Sequence, residues 1–76
     1  MQLVVKSITG TSITVDVEHT DKIKDIKLAI QEKEGIPYEQ QRIIYAGRSL
    51  ADDKNIEEYK IQAGNVLHMV LQLRGG

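Results

Sequence analysis

The sequence contains no cysteine, no tryptophan and no phenylalanine, and only one proline in 76 residues. The absence of cysteine excludes disulfide bridges, thiolate zinc ligands and a cysteine nucleophile, and it is typical of a reducing compartment such as the cytoplasm or nucleus. His19 and His68 stand far apart with no cysteine to complete a ligand set, so the pattern predicts no metal site. Apolar runs such as Leu3 to Val5 are too short to predict a membrane span or a secretory signal.

Charge of neither sign dominates, since ten lysines and arginines stand against eleven acidic residues and the net charge is −1. A nucleic-acid binder normally needs an excess of basic residues to neutralise phosphates, so this class of protein is disfavoured. A hydrophobic content of 41% favours a folded chain, but 76 residues leave no room for a second core. We therefore expect one domain over residues 1–72 and a flexible tail over residues 73–76.

The hydrophobic residues are mainly β-branched, because isoleucine and valine make up 16 of the 76 residues. Their stiff side chains favour strands. From Met1 to Val17 apolar and polar residues alternate on either side of Thr9-Gly10-Thr11. This pattern predicts two strands joined by a hairpin turn, with one face buried and one in water.

A helix is predicted next, because the apolar residues after Asp21 recur at helical spacing. Asp21 is the expected N-cap, and Gly35 followed by Pro37 is expected to end the helix. The apolar stripe of this helix comprises Ile23, Ile26 and Ile30. Lys27 interrupts this stripe. A buried ammonium is costly without a partner, so we expect Lys27 to form an ion pair with a carboxylate.

Two more strands are predicted after Pro37, over Gln41 to Tyr45 and over Asn65 to Leu73. Ala46-Gly47-Arg48 is expected to form a turn, and Asp52 to Ile61 an irregular, partly helical connection. The order of elements is thus ββαββ. It predicts an α+β fold with a mixed four- to five-stranded sheet and a single helix packed across it.

The last two long strands are expected to present an exposed apolar patch. The strand face that carries His68 and Gln72 should be exposed to solvent. By the same alternation, Arg42 and Ile44 should also face solvent. An apolar cluster with a polar rim is typical of a protein-binding face, and scattered surface aliphatics are the alternative. The predicted patch comprises Ile44 and Val70 with Arg42, Arg48, His68 and Gln72 around them, and the opposite face comprises Leu67, Met69, Leu71 and Leu73.

The sequence closes with Leu73-Arg74-Gly75-Gly76. Two glycines make a narrow tail that can enter a slot that any Cβ would block. They also leave the Gly76 carboxylate sterically open to activation and to transfer to a sulfur or amine nucleophile. The alternative is a frayed terminus without a function.

Motifs along the whole chain match those of one protein family, and they include Thr9-Gly10, Lys33-Glu34-Gly35-Ile36-Pro37, Gln40-Gln41-Arg42, Leu67-His68 and Leu73-Arg74-Gly75-Gly76. On these residues the whole chain resembles ubiquitin. The resemblance implies a β-grasp fold, or ubiquitin-like roll, and a C-terminal glycine joined by isopeptide bonds to substrate lysines. It implies a partner-binding patch in which Ile8 joins the residues around Ile44, and it suggests Asp52 as the partner of Lys27.

A further set of positions bears on the type within this family, and it includes Asp16, Ile26, Glu32, Tyr45, Lys54, Tyr59-Lys60, Gly64 and Val66. These positions are similar to the Rub or Nedd type, the related-to-ubiquitin modifiers placed on cullins. The ubiquitin activating enzyme looks for an arginine at the position of Gln72, whereas the Rub type has an uncharged residue there. A divergent or engineered ubiquitin is the alternative, because Gln2, Thr14, Gln31 and Gln62 look more like ubiquitin.

The resemblance implies that the chain is the substrate of an enzyme cascade and not an enzyme. An activating enzyme would use ATP and Mg²⁺, so the chain itself would bind no cofactor. The other implied partners are a conjugating enzyme, a ligase, a deconjugating protease and receptor proteins that read the patch. We expect a monomer in the cytoplasm and nucleus that binds neither nucleic acid nor membrane. Gly75 and Gly76 would form the conjugation site. Partner enzymes would recognise the tail through Leu71, Gln72, Leu73 and Arg74.

Two further functions stay open on the residues alone. One is a sulfur carrier whose terminal glycine becomes a thiocarboxylate, and the other is a non-covalent binding module with an idle tail. If other modifiers are attached to this chain, a mostly buried Lys27 should be a poor acceptor. The candidate acceptor lysines are Lys6, Lys22, Lys27, Lys33, Lys54 and Lys60.

Overall fold

The structure, a computed structural model, describes residues 1–7 and 9–72. Two short 3₁₀ helices, Tyr38–Gln40 and Ile56–Tyr59, lie in the connections, the second of them within the segment predicted to be partly helical. The predicted order is confirmed, and a two-residue strand is added after the turn at Gly47. The main elements are β1 (Gln2–Ser7), β2 (Ser12–Asp16), α1 (Ile23–Glu34), β3 (Gln41–Tyr45), β4 (Arg48–Ser49) and β5 (Val66–Leu71).

The five strands form one mixed sheet in the order β2-β1-β5-β3-β4. Strand β1 pairs antiparallel with β2 and parallel with β5, and β5 pairs antiparallel with β3. The parallel pair requires a long crossover, and α1 lies within it. One helix packed across a mixed sheet of this order is the β-grasp fold, as expected.

The core fills the space between α1 and the inner face of the sheet. Its side chains are almost all aliphatic, and full burial of one such side chain stabilises the fold by about 1.5–3 kcal/mol. The apolar residues of the strand pattern and those of the helix pattern therefore pack in one common core. The buried cluster comprises Leu3, Val5, Ile13, Val15, Val17, Ile23, Ile26, Ile30, Ile43, Leu50, Ile56, Ile61, Leu67 and Met69.

Helix α1 begins with a different cap from the predicted one. Lys22 is the N-cap residue, and its backbone N–H donates a hydrogen bond to Asp25 Oδ2 at 2.9 Å. Asp21 is not the N-cap, because its carboxylate accepts the Glu18 N–H at 2.9 Å and closes the turn before the helix. The predicted end is confirmed: Gly35 has a φ of 74°, in the left-handed region that glycine tolerates.

The expected ion pair of Lys27 is present. Lys27 is 7% exposed, and its Nζ lies 2.5 Å from Oδ1 of Asp52. Buried Gln41 adds a second link, since its Nε2 donates to the backbone carbonyls of Lys27 and Ile36, both at 3.0 Å. These contacts hold the start of β3 and the loop at Asp52 against the middle of the helix.

Leu71 departs from the expected inner-face packing. Its register partner is Gln41, which is buried, but Leu71 itself is 50% exposed. It is the last residue of β5, where the sheet ends. Strand parity predicts which face a residue shares, but not whether another layer covers that face at the end of the strand. Leu73, assigned to the same face, lies outside the described residues.

Candidate functional site

Strands β3 and β5 bring four of the predicted patch residues, Arg42, Ile44, His68 and Val70, together on the outer face of the sheet. Ile44 faces His68 in antiparallel register, and Arg42 faces Val70. Residues that face each other in this way project to the same side of the sheet. The predicted parity is confirmed in β3, where Ile43 is buried, and in β5, where Leu67 and Met69 are buried. Ile8, a further predicted member of the patch, lies outside the described residues.

Lys6 belongs to the same surface. In the parallel pairing of β1 with β5, Lys6 is the register partner of His68, and both residues are exposed. The outer face thus combines the half-buried aliphatic side chains of Ile44 and Val70 with basic groups around them. Lys6 is predicted from the sequence only as an acceptor, because the pairing of β1 with β5 joins distant segments and leaves no local pattern.

Arg48 is placed differently from the other predicted rim residues. Its register partner on β3 is Tyr45 and not Ile44. Its guanidinium carbon lies 5.8 Å from the ring centroid of Tyr59, within the range of a cation–π contact. The Tyr59 hydroxyl accepts the Ala51 N–H at 2.9 Å. Arg48 is therefore associated with the packing of the loop around Tyr59 rather than with the Ile44 row.

Leu71 and Gln72 are the two residues of the predicted tail-recognition set that the structure describes. Both are exposed. The Gln72 N–H donates to the Gln40 carbonyl at 2.6 Å, which places Gln72 beside the first 3₁₀ helix. Leu73, Arg74, Gly75 and Gly76 lie outside the described residues.

The candidate acceptor lysines have different surroundings. Lys27 is buried in its ion pair with Asp52. Lys33 is exposed but donates to the Thr14 carbonyl across a sequence separation of 19 residues. Acyl transfer needs a lysine amine that the acyl donor can reach, so burial separates Lys27 from the others. The remaining candidates, Lys6, Lys22, Lys54 and Lys60, are all exposed.

Residues 1–7 and 9–72 contain no group of three or more histidine, aspartate or glutamate side chains that could hold a metal ion. No helix in the described part of the chain is long and apolar enough to cross a membrane. The outer face of the sheet, with half-buried Ile44 and Val70 among exposed polar side chains, has the composition that is typical of protein-binding surfaces.

Comparison with known proteins identifies the class. The family model described as the ubiquitin family matches residues 3–74, so the chain belongs to the ubiquitin family. It is a ubiquitin-like modifier, a class of proteins that serve as conjugated tags and are not enzymes.

Several relatives carry names of the Rub or Nedd type. The chain is 53% identical to ubiquitin-like protein NEDD8 of Dictyostelium discoideum, over all of this chain and 99% of the relative. It is 50% identical to NEDD8-like protein RUB3 of Arabidopsis thaliana, over all of this chain and 97% of the relative. It is 54% identical to ubiquitin-like protein 1 of Schizosaccharomyces pombe, again over all of this chain and 97% of the relative. The predicted likeness to Rub-type modifiers is confirmed.

Proposed function

We propose that this chain is a Rub-type tag that is joined through the Gly76 carboxylate to lysines of cullins. The observation that supports the proposal is its end-to-end similarity to relatives named NEDD8 or NEDD8-like, at 53% and 50% identity. Gln72 agrees with it, because an uncharged residue at this position is expected of the Rub type. The exposure of Gln72 beside the Gln40 carbonyl would make it readable by an activating enzyme.

The proposed cascade transfers one acyl group three times. A Gly76 carboxylate oxygen attacks the α-phosphorus of ATP, held with Mg²⁺ by the activating enzyme, and pyrophosphate leaves. A cysteine thiolate of that enzyme then attacks the acyl carbon and releases AMP. After exchange to a cysteine of the conjugating enzyme, the substrate amine attacks the thioester and releases the thiol, with a ligase positioning the two. A deconjugating protease would hydrolyse the isopeptide bond.

The outer face of the sheet would serve recognition in this scheme. Ile44 and Val70 would be the apolar contacts for receptor proteins, and Arg42 and His68 would be polar contacts around them, with Ile8 completing the patch. Such an interface can be weak, about 8 kcal/mol for a micromolar complex, because covalent attachment raises the local concentration of the patch. The chain would act as a monomer in the cytoplasm and nucleus.

The test is thioester formation with ATP, Mg²⁺ and purified activating enzymes of the Rub and ubiquitin pathways. Wild type is compared with Gln72→Arg and with a chain lacking Gly76. We expect charging by the Rub enzyme, no charging after deletion of Gly76, and a gain of charging by the ubiquitin enzyme in Gln72→Arg. Transfer to a purified cullin would then be followed by the mass of the product.

Other results would replace the proposal. Charging of the wild type chiefly by the ubiquitin enzyme would assign a divergent ubiquitin. Charging by neither enzyme, with receptor binding intact after removal of Gly75 and Gly76, would assign a non-covalent binding module. A thiocarboxylate in place of isopeptide products would assign a sulfur carrier.

A further inference from the structure

Strand β2 forms one edge of the sheet, and in the part of the chain that the structure describes it pairs only with β1. The Val17 N–H donates to the Met1 carbonyl at 2.8 Å, just beyond one end of this pair. At the other end the Ser7 N–H donates to the Thr11 carbonyl at 2.9 Å. Hydrogen-bonded and non-hydrogen-bonded pairs alternate in an antiparallel ladder, so the odd-numbered residues of β2 bond to β1. The residues that direct their backbone N–H and C=O groups to the open edge are therefore Ser12, Thr14 and Asp16.

Lys33 covers the centre of this open edge. From the last turn of α1 its Nζ donates a hydrogen bond to the Thr14 carbonyl at 2.5 Å. This contact agrees with the outward direction that the ladder assigns to the Thr14 carbonyl. A strand that is added to the sheet has to bond to the same carbonyl, so it must first displace the ammonium. Lysine side chains at sheet edges commonly prevent unwanted strand pairing in this way.

The open edge is complementary to a second copy of itself. When two β2 strands run antiparallel with Thr14 opposite Thr14, Ser12 of each copy faces Asp16 of the other. Facing residues can exchange both backbone hydrogen bonds, and pairs of hydroxyl side chains stabilise neighbouring strands. Ser12 and Thr14 are exposed. The Asp16 side chain is 79% exposed, although its Oδ1 lies 3.3 Å from the Met1 ammonium. The register thus places each Asp16 carboxylate opposite a hydroxyl group and not opposite a second carboxylate.

Charge opposes this pairing in the unmodified chain. Each Lys33 ammonium lies at a Thr14 carbonyl, and the two-fold axis of the pair passes beside Thr14. Pairing of two unmodified copies therefore brings two positive charges together and breaks the contact of each Lys33 with Thr14. Acylation of the lysine removes its charge.

We propose that the Lys33 ammonium keeps the β2 edge unpaired, and that acylation of Lys33 opens this edge to β2 of a second copy of the chain. The amine, after losing a proton, attacks the carbonyl carbon of an acyl thioester. The amide C–N bond forms, the C–S bond breaks, and the thiolate leaves with the electron pair of that bond. The nitrogen then gives up one more proton, and the product is a neutral amide.

Sedimentation of the full chain over a range of concentrations tests the pairing. One sample carries acetyl-lysine in place of Lys33, and the matched control carries it in place of Lys54, which is also exposed and loses the same charge. The dissociation constant of the dimer should fall about tenfold or more in the first sample only, because two like charges leave the interface. After partial acetylation of the wild type with an acetyl thioester, mass spectrometry should find acetylated Lys33 enriched in the dimer fraction.

Hydrogen exchange locates the interface within the dimer. The amides of Ser12, Thr14 and Asp16 should exchange about tenfold more slowly in the dimer than in the monomer. Those of Ile13 and Val15 already bond to β1 and should not change.

Charge at position 12 tests the register. In the chain acetylated at Lys33, Ser12→Lys places an ammonium opposite Asp16 and should tighten the dimer about fivefold, because the pair occurs twice. Ser12→Asp places two carboxylates opposite each other and should weaken the dimer by a similar factor.

Three results would overturn the proposal. The first is a chain acetylated at Lys33 that stays as monomeric as the Lys54 control. The second is a wild type that dimerises just as tightly, because Lys33 would then not block the edge. The third is a dimer in which Thr14 exchange is unchanged and charge at position 12 has no effect, since the contact would then lie elsewhere. Because no conjugation enzyme takes part, these results are independent of the proposed function.

Discussion

At the scale of single residues, Ile43 and Ile44 are neighbours whose side chains lie on opposite sides of the sheet. Ile43→Ala should lower the free energy of unfolding by about 2–5 kcal/mol, because it opens a cavity at a fully buried position. Ile44→Ala should cost about 1 kcal/mol or less, because that side chain is half-buried on the outer face. Urea denaturation of both variants makes the comparison. Similar losses in the two variants would contradict the assigned parity of β3.

The Ile44→Ala variant also tests whether this side chain contributes to recognition rather than to stability. Under the proposed function Ile44→Ala should weaken binding of a receptor to the patch while the protein stays folded. Calorimetric titration with the receptor measures the first effect and the denaturation curve the second. A large loss of stability with unchanged binding would show that Ile44 serves the fold and not the patch.

The ion pair between Lys27 and Asp52 should respond unequally to loss of either partner. Asp52→Ala leaves a 7% exposed ammonium without a carboxylate, and we expect a loss of about 3 kcal/mol. Lys27→Met keeps the apolar stem and leaves a carboxylate that is 46% exposed and able to take up water, so about 1 kcal/mol or less should be lost. Chemical denaturation of both variants tests this order, and the double variant should resemble Lys27→Met. Greater destabilisation by Lys27→Met would contradict it.

At the scale of elements, the end of α1 depends on one backbone conformation. Gly35 has a φ of 74°, and a Cβ there would meet open space, so the cost of substitution comes from the backbone alone. Gly35→Ala should lower the free energy of unfolding by about 1 kcal/mol, and Gly35→Asn by less, because asparagine visits this conformation more readily. Thermal and urea denaturation measure both. Equal stability of Gly35→Ala and wild type would mean that the helix can end in another way.

The elements also show which features a sequence can predict. Alternation in β3 and β5 assigned Ile43 and Ile44 to opposite faces, and Gly35 marked the end of α1, because such patterns act over a few residues. The N-cap was assigned to Asp21 wrongly, since a carboxylate before a helix can serve either the helix or the turn that precedes it. Leu71 was expected to pack inward, but burial at the end of a strand depends on whether the layer packed against the sheet extends that far.

Features built from distant segments were not predictable from local patterns. Lys6 joins His68 on the outer face through the pairing of β1 with β5, and the Gln72 N–H reaches the Gln40 carbonyl of the first 3₁₀ helix. The link between Lys27 and Asp52 was suggested by a family resemblance, not by spacing. The modifier function likewise came from resemblance, because the residues alone indicated only an apolar patch and a narrow tail.

At the scale of the whole molecule, burial of Lys27 couples its reactivity to the stability of the fold. The Lys27 Nζ donates a hydrogen bond to Asp52, and the backbone carbonyl of Lys27 accepts one from buried Gln41. An acylating reagent therefore needs an opening that separates α1 from the sheet and from the loop at Asp52. Since the native state of a small domain is favoured by about 5 kcal/mol or more, acetylation of Lys27 should be slower than that of exposed Lys54 by roughly a thousandfold or more.

Mass spectrometry of peptides after timed acetylation of the native protein gives the rate at each lysine. Low concentrations of urea should accelerate labelling of Lys27, because urea increases the population of open states, and should leave Lys54 unchanged. Asp52→Ala should accelerate Lys27 in the same way, while the control variant Asp53→Ala, an exposed neighbour, should not. If Lys27 and Lys54 react at similar rates in the wild type without urea, the ammonium is open to reagents in the native fold. Lys27 would then have to be ranked with the exposed lysines as an acceptor of further modifiers.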